Sequence, residues 1–258
     1  MASVPTADGI EIAYDVTGAG PTLVLVHGLT EDHRAWDPLV PDLASDHAVV
    51  AVDMRGHGRS ALAPTYDPTA MADDVASVLG DVGLVEPLVV GHSMGGIVVT
   101  AFAAAHPCRG VINVDQPIAL TGFQEMVQSA EPMLRGDEFG GFMEALFAGL
   151  QGPLPADEVA RLGAVSAPVQ EVVLGCWAPV LELTATELDA LVAQLTAAVQ
   201  VPYLALHGGD PGPDYDHWLE RVIPTATVEV WEDSGHYPHL VHPQRFLDRV
   251  RAFESALA

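Results

Sequence analysis

Pro87-Leu88-Val89-Val90-Gly91-His92-Ser93-Met94-Gly95 is an apolar run that leads straight into a G-x-S-x-G pentapeptide. Gly96-Ile97-Val98-Val99-Thr100-Ala101-Phe102-Ala103-Ala104-Ala105 follows at once and reads as a helix rich in small residues. A strand, a sharp turn and a helix with a serine at the apex is an arrangement that exposes a nucleophile. The flanking glycines have a steric task, because so tight a turn presses the backbone against neighbouring elements. Lacking a Cβ, glycine avoids that clash and tolerates unusual φ values. The bland alternative is an ordinary strand-to-helix turn with an inert serine.

Working outward, short β-branched runs alternate with helical stretches. Ile10 to Tyr14 is expected as an edge strand, closed by the turn Gly18-Ala19-Gly20-Pro21. Thr22-Leu23-Val24-Leu25-Val26 is an unbroken apolar run, as befits a strand buried on both faces of a parallel sheet. Trp36, Leu39, Val40 and Leu43 recur at helical spacing, His47 to Val52 reads as a strand, and Met71, Val75, Val78 and Leu79 mark another helix. Val111-Ile112-Asn113-Val114 follows the helix after Ser93. This β-α-β-α rhythm predicts an α/β fold with a doubly wound, mostly parallel sheet.

The rhythm breaks between about Gln116 and Gln200, where helical patterns separated by Gly and Pro replace the strands. Strands resume at Val201-Pro202-Tyr203-Leu204-Ala205-Leu206 and at Thr227-Val228-Glu229-Val230-Trp231, and an amphipathic helix spans His242 to Leu257. The expected organisation is a core from residues 1–115 and 201–258 with a helical cap inserted at 116–200.

Composition narrows the chemistry. The chain has 258 residues, 35 acidic against 10 basic, for a net charge of −25. Every basic residue is Arg and there is no Lys, which excludes a lysine Schiff base, a pyridoxal phosphate linkage and a P-loop lysine. The negative field argues against nucleic acid and anionic membranes as partners. Cys108 and Cys176 lack C-x-x-C spacing, so neither a metal site nor a redox pair is indicated. No leader pattern and no uncharged run near the ~20 residues of a membrane span is visible, so a cytoplasmic protein, monomer or homodimer, is expected.

A serine hydroxyl needs a base within hydrogen-bond reach, and the base needs an orienting partner. His236, in Ser234-Gly235-His236 after the last strand, is the candidate base. Asp210, in His207-Gly208-Gly209-Asp210 after the preceding strand, is the candidate orienter. Loops at the carboxyl ends of parallel strands converge on one edge, where open α/β sheets bind ligands.

With these motifs in place the chain resembles the α/β-hydrolase fold family over about residues 5 to 257. His27-Gly28-Leu29-Thr30, Asp53-Met54-Arg55-Gly56-His57-Gly58-Arg59-Ser60, the Ser93 turn and the order Ser93, Asp210, His236 carry the likeness. The resemblance implies an oxyanion hole built from the backbone N–H groups of Leu29 and Met94. It also leaves Asp115, at the end of the strand after the Ser93 helix, as an alternative acid, since some members place theirs there.

The resulting expectation is a serine hydrolase without cofactor or metal, cleaving a neutral carboxylic ester or lactone through an acyl-serine intermediate. Few cations are available to hold an anion. Related chemistries on the same residues are a carbon–carbon bond hydrolase or a perhydrolase, and a different class altogether is a small-molecule receptor on the hydrolase scaffold. For the hydrolase, activity is expected to fall on acidification through the His236 pKa, at around 6 to 7.

Overall fold

The unbroken apolar runs become the buried centre of one sheet. A computed structural model describes residues 2–257. Its strands are β1 (Ala2–Pro5), β2 (Glu11–Gly18), β3 (Thr22–Val26), β4 (Ala48–Val52), β5 (Leu88–His92), β6 (Gly110–Val114), β7 (Tyr203–His207) and β8 (Ala226–Val230). They lie in the order β1-β2-β4-β3-β5-β6-β7-β8. β1 and β2 run antiparallel and every pairing from β4 to β8 is parallel. All residues of β3 through β7 are buried, as strands covered on both faces must be.

The helices in chain order are α1 (Val40–Leu43), α2 (Pro68–Val82), α3 (Met94–Ala105), α4 (Thr121–Arg135), α5 (Phe139–Leu150), α6 (Ala156–Val165), α7 (Gln170–Cys176), α8 (Ala178–Glu182), α9 (Ala185–Ala197), α10 (Tyr215–Val222), α11 (Pro238–Val241) and α12 (Pro243–Ser255). Alternate strand residues feed two cores, as the period of two requires. Val24, Val26 and Val50 pack with α2, α3 and α10 on one face. Leu23, Leu25 and Val49 pack with Trp36, Leu43 and the Phe246, Val250 and Phe253 stripe of α12 on the other.

Two expectations change. The strand at Ile10–Tyr14 is not the edge, because β1 pairs outside it with Val4 opposite Ile12. Ala2-Ser3-Val4-Pro5 is too short to announce itself as a strand by pattern. The Asp- and Gly-rich stretch after β7 also conceals α10, whose helical period starts only at Tyr215.

Between β6 and β7 the regular elements of the described chain are all helices, α4 to α9. These helices do not form one detached layer. Val192 of α9 joins the core beside α3, and Leu162 and Val165 of α6 join the opposite core. α4, α5, α7 and α8 enclose a third cluster with Val127, Leu134, Met143 and Val173, and Leu29 reaches into it from the loop after β3. Cys108 and Cys176 are free and half-buried, and burial pushes their thiols up to about 11 and about 12. No single helix among the described residues is long and apolar enough to cross a membrane.

Candidate active site

Ser93 sits at the apex between β5 and α3 with φ 52° and ψ −125°. Only close packing sustains that backbone. A Cβ on Gly91 would stand 2.1 Å from the Gly95 carbonyl oxygen, and one on Gly95 would stand 2.4 Å from the Val26 carbonyl oxygen of β3. The glycines are therefore required by the contact of α3 with its own strand and with the next one. Thr30 (φ 69°) and Asp115 (φ 52°) are also left-handed without being glycine. Three such residues at one edge of the sheet mark a place where the fold holds costly conformations.

His236 is the next element. It lies on the loop after β8, with its side chain 12 % exposed, and its Nδ1 stands 2.7 Å from Asp115 Oδ2. An ionised carboxylate only accepts, so Nδ1 donates and Nε2 is left as an acceptor. Burial pushes the Asp115 carboxyl up, but the His236 bond and the Gly208 N–H pull harder, and the group titrates below the usual carboxylate range. Burial pushes the His236 imidazole down, more than the Asp115 bond and charge raise it. The ring is thus neutral to a lower pH than a free imidazole.

The structure does not bring the expected acid to His236. Asp210 is exposed and its Oδ1 accepts the Gly212 N–H at 2.9 Å, closing a local turn. It makes no bond to His236. The reason lies at Gly208, directly after β7. Its N–H donates to Asp115 Oδ1 at 2.8 Å, and its carbonyl accepts the N–H groups of Ser234 and Gly235, both at 3.1 Å. The three loops are stitched together there, with Asp115 under His236, and the chain has turned outward before Asp210. Asp115, directly after β6, was legible as the alternative.

Ser93, His236, Asp115, Leu29 and Met94 line one cavity of about 1020 Å³. Tyr66, Ile97, Phe123, Phe147 and Trp177 make much of its wall apolar, and Arg221 is the one lysine- or arginine-type cation among its described lining residues. The N–H groups of Leu29 and Met94 have no acceptor among the described residues. Asp210 instead lines a neighbouring chamber of about 290 Å³, which also touches Asp115 and His236.

Behind this edge the loop after β3 is tied down by buried polar groups. His27 Nε2 accepts the Met54 N–H at 3.1 Å, and Asp53 accepts the N–H groups of His33 and Arg59 at 2.8 and 3.0 Å. Asp32, His33 and Asp53 bring possible ligand atoms within 4.8 Å of one another. Those atoms already bond to each other and to backbone, with His33 Nδ1 on Asp53 at 2.7 Å and Asp32 capping the turn at Arg34. The cluster supports the loop. Gly208 stands in His207-Gly208-Gly209-Asp210 with nothing local to announce its contact with Asp115, and Glu31, whose carboxylate accepts the Gly28 N–H, stands in no motif at all.

A doubly wound sheet with a serine at the strand-to-helix apex and a histidine–carboxylate pair beside it defines a hydrolase of the α/β-hydrolase class. The chain belongs to the alpha/beta hydrolase family, which it matches over residues 23–249. It is 27% identical, over 95% of its own length and 99% of the relative's, to the pimeloyl-(acyl-carrier protein) methyl ester esterase of Aeromonas hydrophila. Among solved structures, the esterase RhEst1 from Rhodococcus is 29% identical with a TM-score of 0.75, covering 100% of this chain and 99% of that one. A thermophilic esterase from Thermogutta terrifontis is 27% identical with a TM-score of 0.77, covering 99% and 98%.

Proposed function

We propose that this protein is a serine hydrolase that cleaves a neutral carboxylic ester or lactone through an acyl-serine intermediate. The observation that carries the reading is the Asp115–His236 pair, 2.7 Å apart, lining the same cavity as a serine held at positive φ. In this reading His236 Nε2 removes the Ser93 proton while Oγ attacks the substrate carbonyl. The N–H groups of Leu29 and Met94 hold the oxyanion, a contribution of about 3 kcal/mol per donor in comparable sites. His236 then gives its proton to the leaving alkoxide, and water releases the acyl group from Ser93 by the same route. Asp115 holds the imidazole in the required tautomer and stabilises its protonated form.

The cavity argues for the substrate class. Its walls are largely apolar, Arg221 is the one strong cation among its described lining residues, and Asp115 and Asp214 face any ligand with negative charge. A neutral, bulky ester or lactone fits this better than an anion. The three relatives named above are esterases, which supports ester chemistry, while the preference for a neutral substrate rests on the cavity. Helices α4, α5, α7 and α8 serve in this reading as a cap that shields the acyl group from bulk water.

Hydrolysis of a panel of neutral aryl esters and lactones by wild type and Ser93→Ala tests the proposal. Turnover by wild type and loss of about 10³-fold or more in the alanine variant is the expected result. Full activity without the serine hydroxyl refutes the mechanism.

A further inference from the structure

Glu31 stands two residues past Leu29 on the loop after β3 and is 4 % exposed. Its carboxylate touches its own loop, the end of β5 and the loop after β8. Oε2 accepts the Gly28 N–H at 3.1 Å and lies 3.7 Å from His92 Nδ1. Oε1 accepts the Tyr237 hydroxyl at 3.0 Å. Each partner is the chain neighbour of a residue in the proposed machinery: Gly28 precedes Leu29, His92 precedes Ser93, and Tyr237 follows His236. The contacts then close into a ring. His92 Nε2 lies 2.8 Å from the His236 carbonyl, and a carbonyl only accepts, so the imidazole donates. The His92 ring packs against those of His236 and Tyr237, with centroids 4.6 and 4.8 Å away.

We propose that Glu31 is a positioning residue, which fixes the oxyanion loop, the Ser93 turn and the His236 loop in one relative register and adds a second negative charge behind His236. The inference rests on the serine mechanism proposed above. A buried carboxylate is costly unless donors surround it, and one that joined only two surface loops would be replaced by an apolar contact with little loss. This one is placed where its three partners each govern a different participant in the reaction. A displacement of about 1 Å at such a participant is enough to cost on the order of 10²-fold in rate.

The charge has its own consequence. Burial pushes the Glu31 carboxyl up, but the nearby His92 imidazole, the His27 ring and the Tyr237 hydroxyl hold it down at about 2, so it is ionised at any working pH. The titratable groups facing His236 are Asp115, Glu31, His92, His239 and Tyr237. Asp115 and Glu31 favour the protonated imidazole and His92 opposes it. Removing the Glu31 charge therefore makes His236 harder to protonate.

The test is the pH dependence of kcat and KM for wild type, Glu31→Gln and Tyr237→Phe on an aryl ester whose turnover requires Ser93. Glu31→Gln is expected to lower kcat on the order of 10- to 100-fold, with KM within about threefold of wild type. It is also expected to move the acidic limb of kcat/KM to lower pH, which a merely structural role would not do. Tyr237→Phe keeps the charge and deletes one tether, so kcat falls less and the limb stays in place. A Glu31→Gln protein with wild-type kcat, or with a reduced kcat and an unmoved limb, overturns the proposal. Should Glu31→Gln fail to fold, Tyr237→Phe decides, and a wild-type kcat there overturns it as well. Turnover that survives Ser93→Ala refutes the serine reading itself, whereas Ser93-dependent turnover indifferent to Glu31 refutes only this inference.

Discussion

Asp115 and Asp210 show how much one residue's placement decides. Both follow strands that end on the same edge of the sheet, so sequence position alone ranks them poorly. What separates them is Gly208, which spends its N–H on Asp115 and its carbonyl on the His236 loop. That exchange is long-range and leaves no local pattern. Ser93 and His236, by contrast, were legible because each sits in a short motif beside a strand. The assignment is checked by kinetics. Asp115→Asn is expected to lower kcat by about 10⁴-fold, as loss of the orienting carboxylate does in comparable triads. Asp210→Asn, on an exposed turn, is expected to stay within about twofold of wild type. The opposite ranking would restore Asp210 as the acid.

At the scale of elements, the central strands and α3 could be read because apolar runs bounded by glycine leave little choice of structure. β1 and α10 could not, because four edge residues and a Gly- and Asp-rich lead-in carry almost no periodicity. Of the six helices between β6 and β7, the sequence pattern shows five and leaves out the five-residue α8, and their division between three apolar clusters depends on which faces meet, which is settled only in three dimensions. The strand–turn–helix unit around Ser93 is the most tightly specified of these. Gly95→Ala sets a Cβ against the Val26 and His27 carbonyl oxygens at 2.4 and 2.7 Å, both of them backbone atoms that cannot swing aside. A loss of about 1–3 kcal/mol or more in urea unfolding is expected. An unchanged midpoint would mean that α3 is not pressed on β3 as described.

Across the whole molecule the buried histidines set the response to acid. Burial lowers the pKa of His27, His207, His236 and His239, and takes that of His57 down to about 3. In the unfolded chain these rings titrate near ~6.5. Between that value and their folded pKa the unfolded state binds more protons, so stability falls as pH falls, by about 1.4 kcal/mol per pH unit for each ring that stays neutral in the fold. His33 and His47 work in the other direction. Despite burial, their bonds to Asp53 and Glu254 raise their pKa, and that stabilisation is present below ~6.5 and lost as pH rises through the folded value. Five lowered rings stand against two raised ones. The melting temperature is expected to drop between pH 7 and pH 5, and a flat profile there would contradict the burial of these rings.

All three scales meet at one hydroxyl. The most direct measurement is the intact mass of the protein after treatment with a fluorophosphonate, followed by peptide mapping of the adduct. Stoichiometric modification of Ser93, with complete loss of ester turnover and no labelling after His236→Ala, is the result expected here. Ester turnover that persists in protein left unmodified at Ser93, or an adduct carried by a different residue, would contradict it.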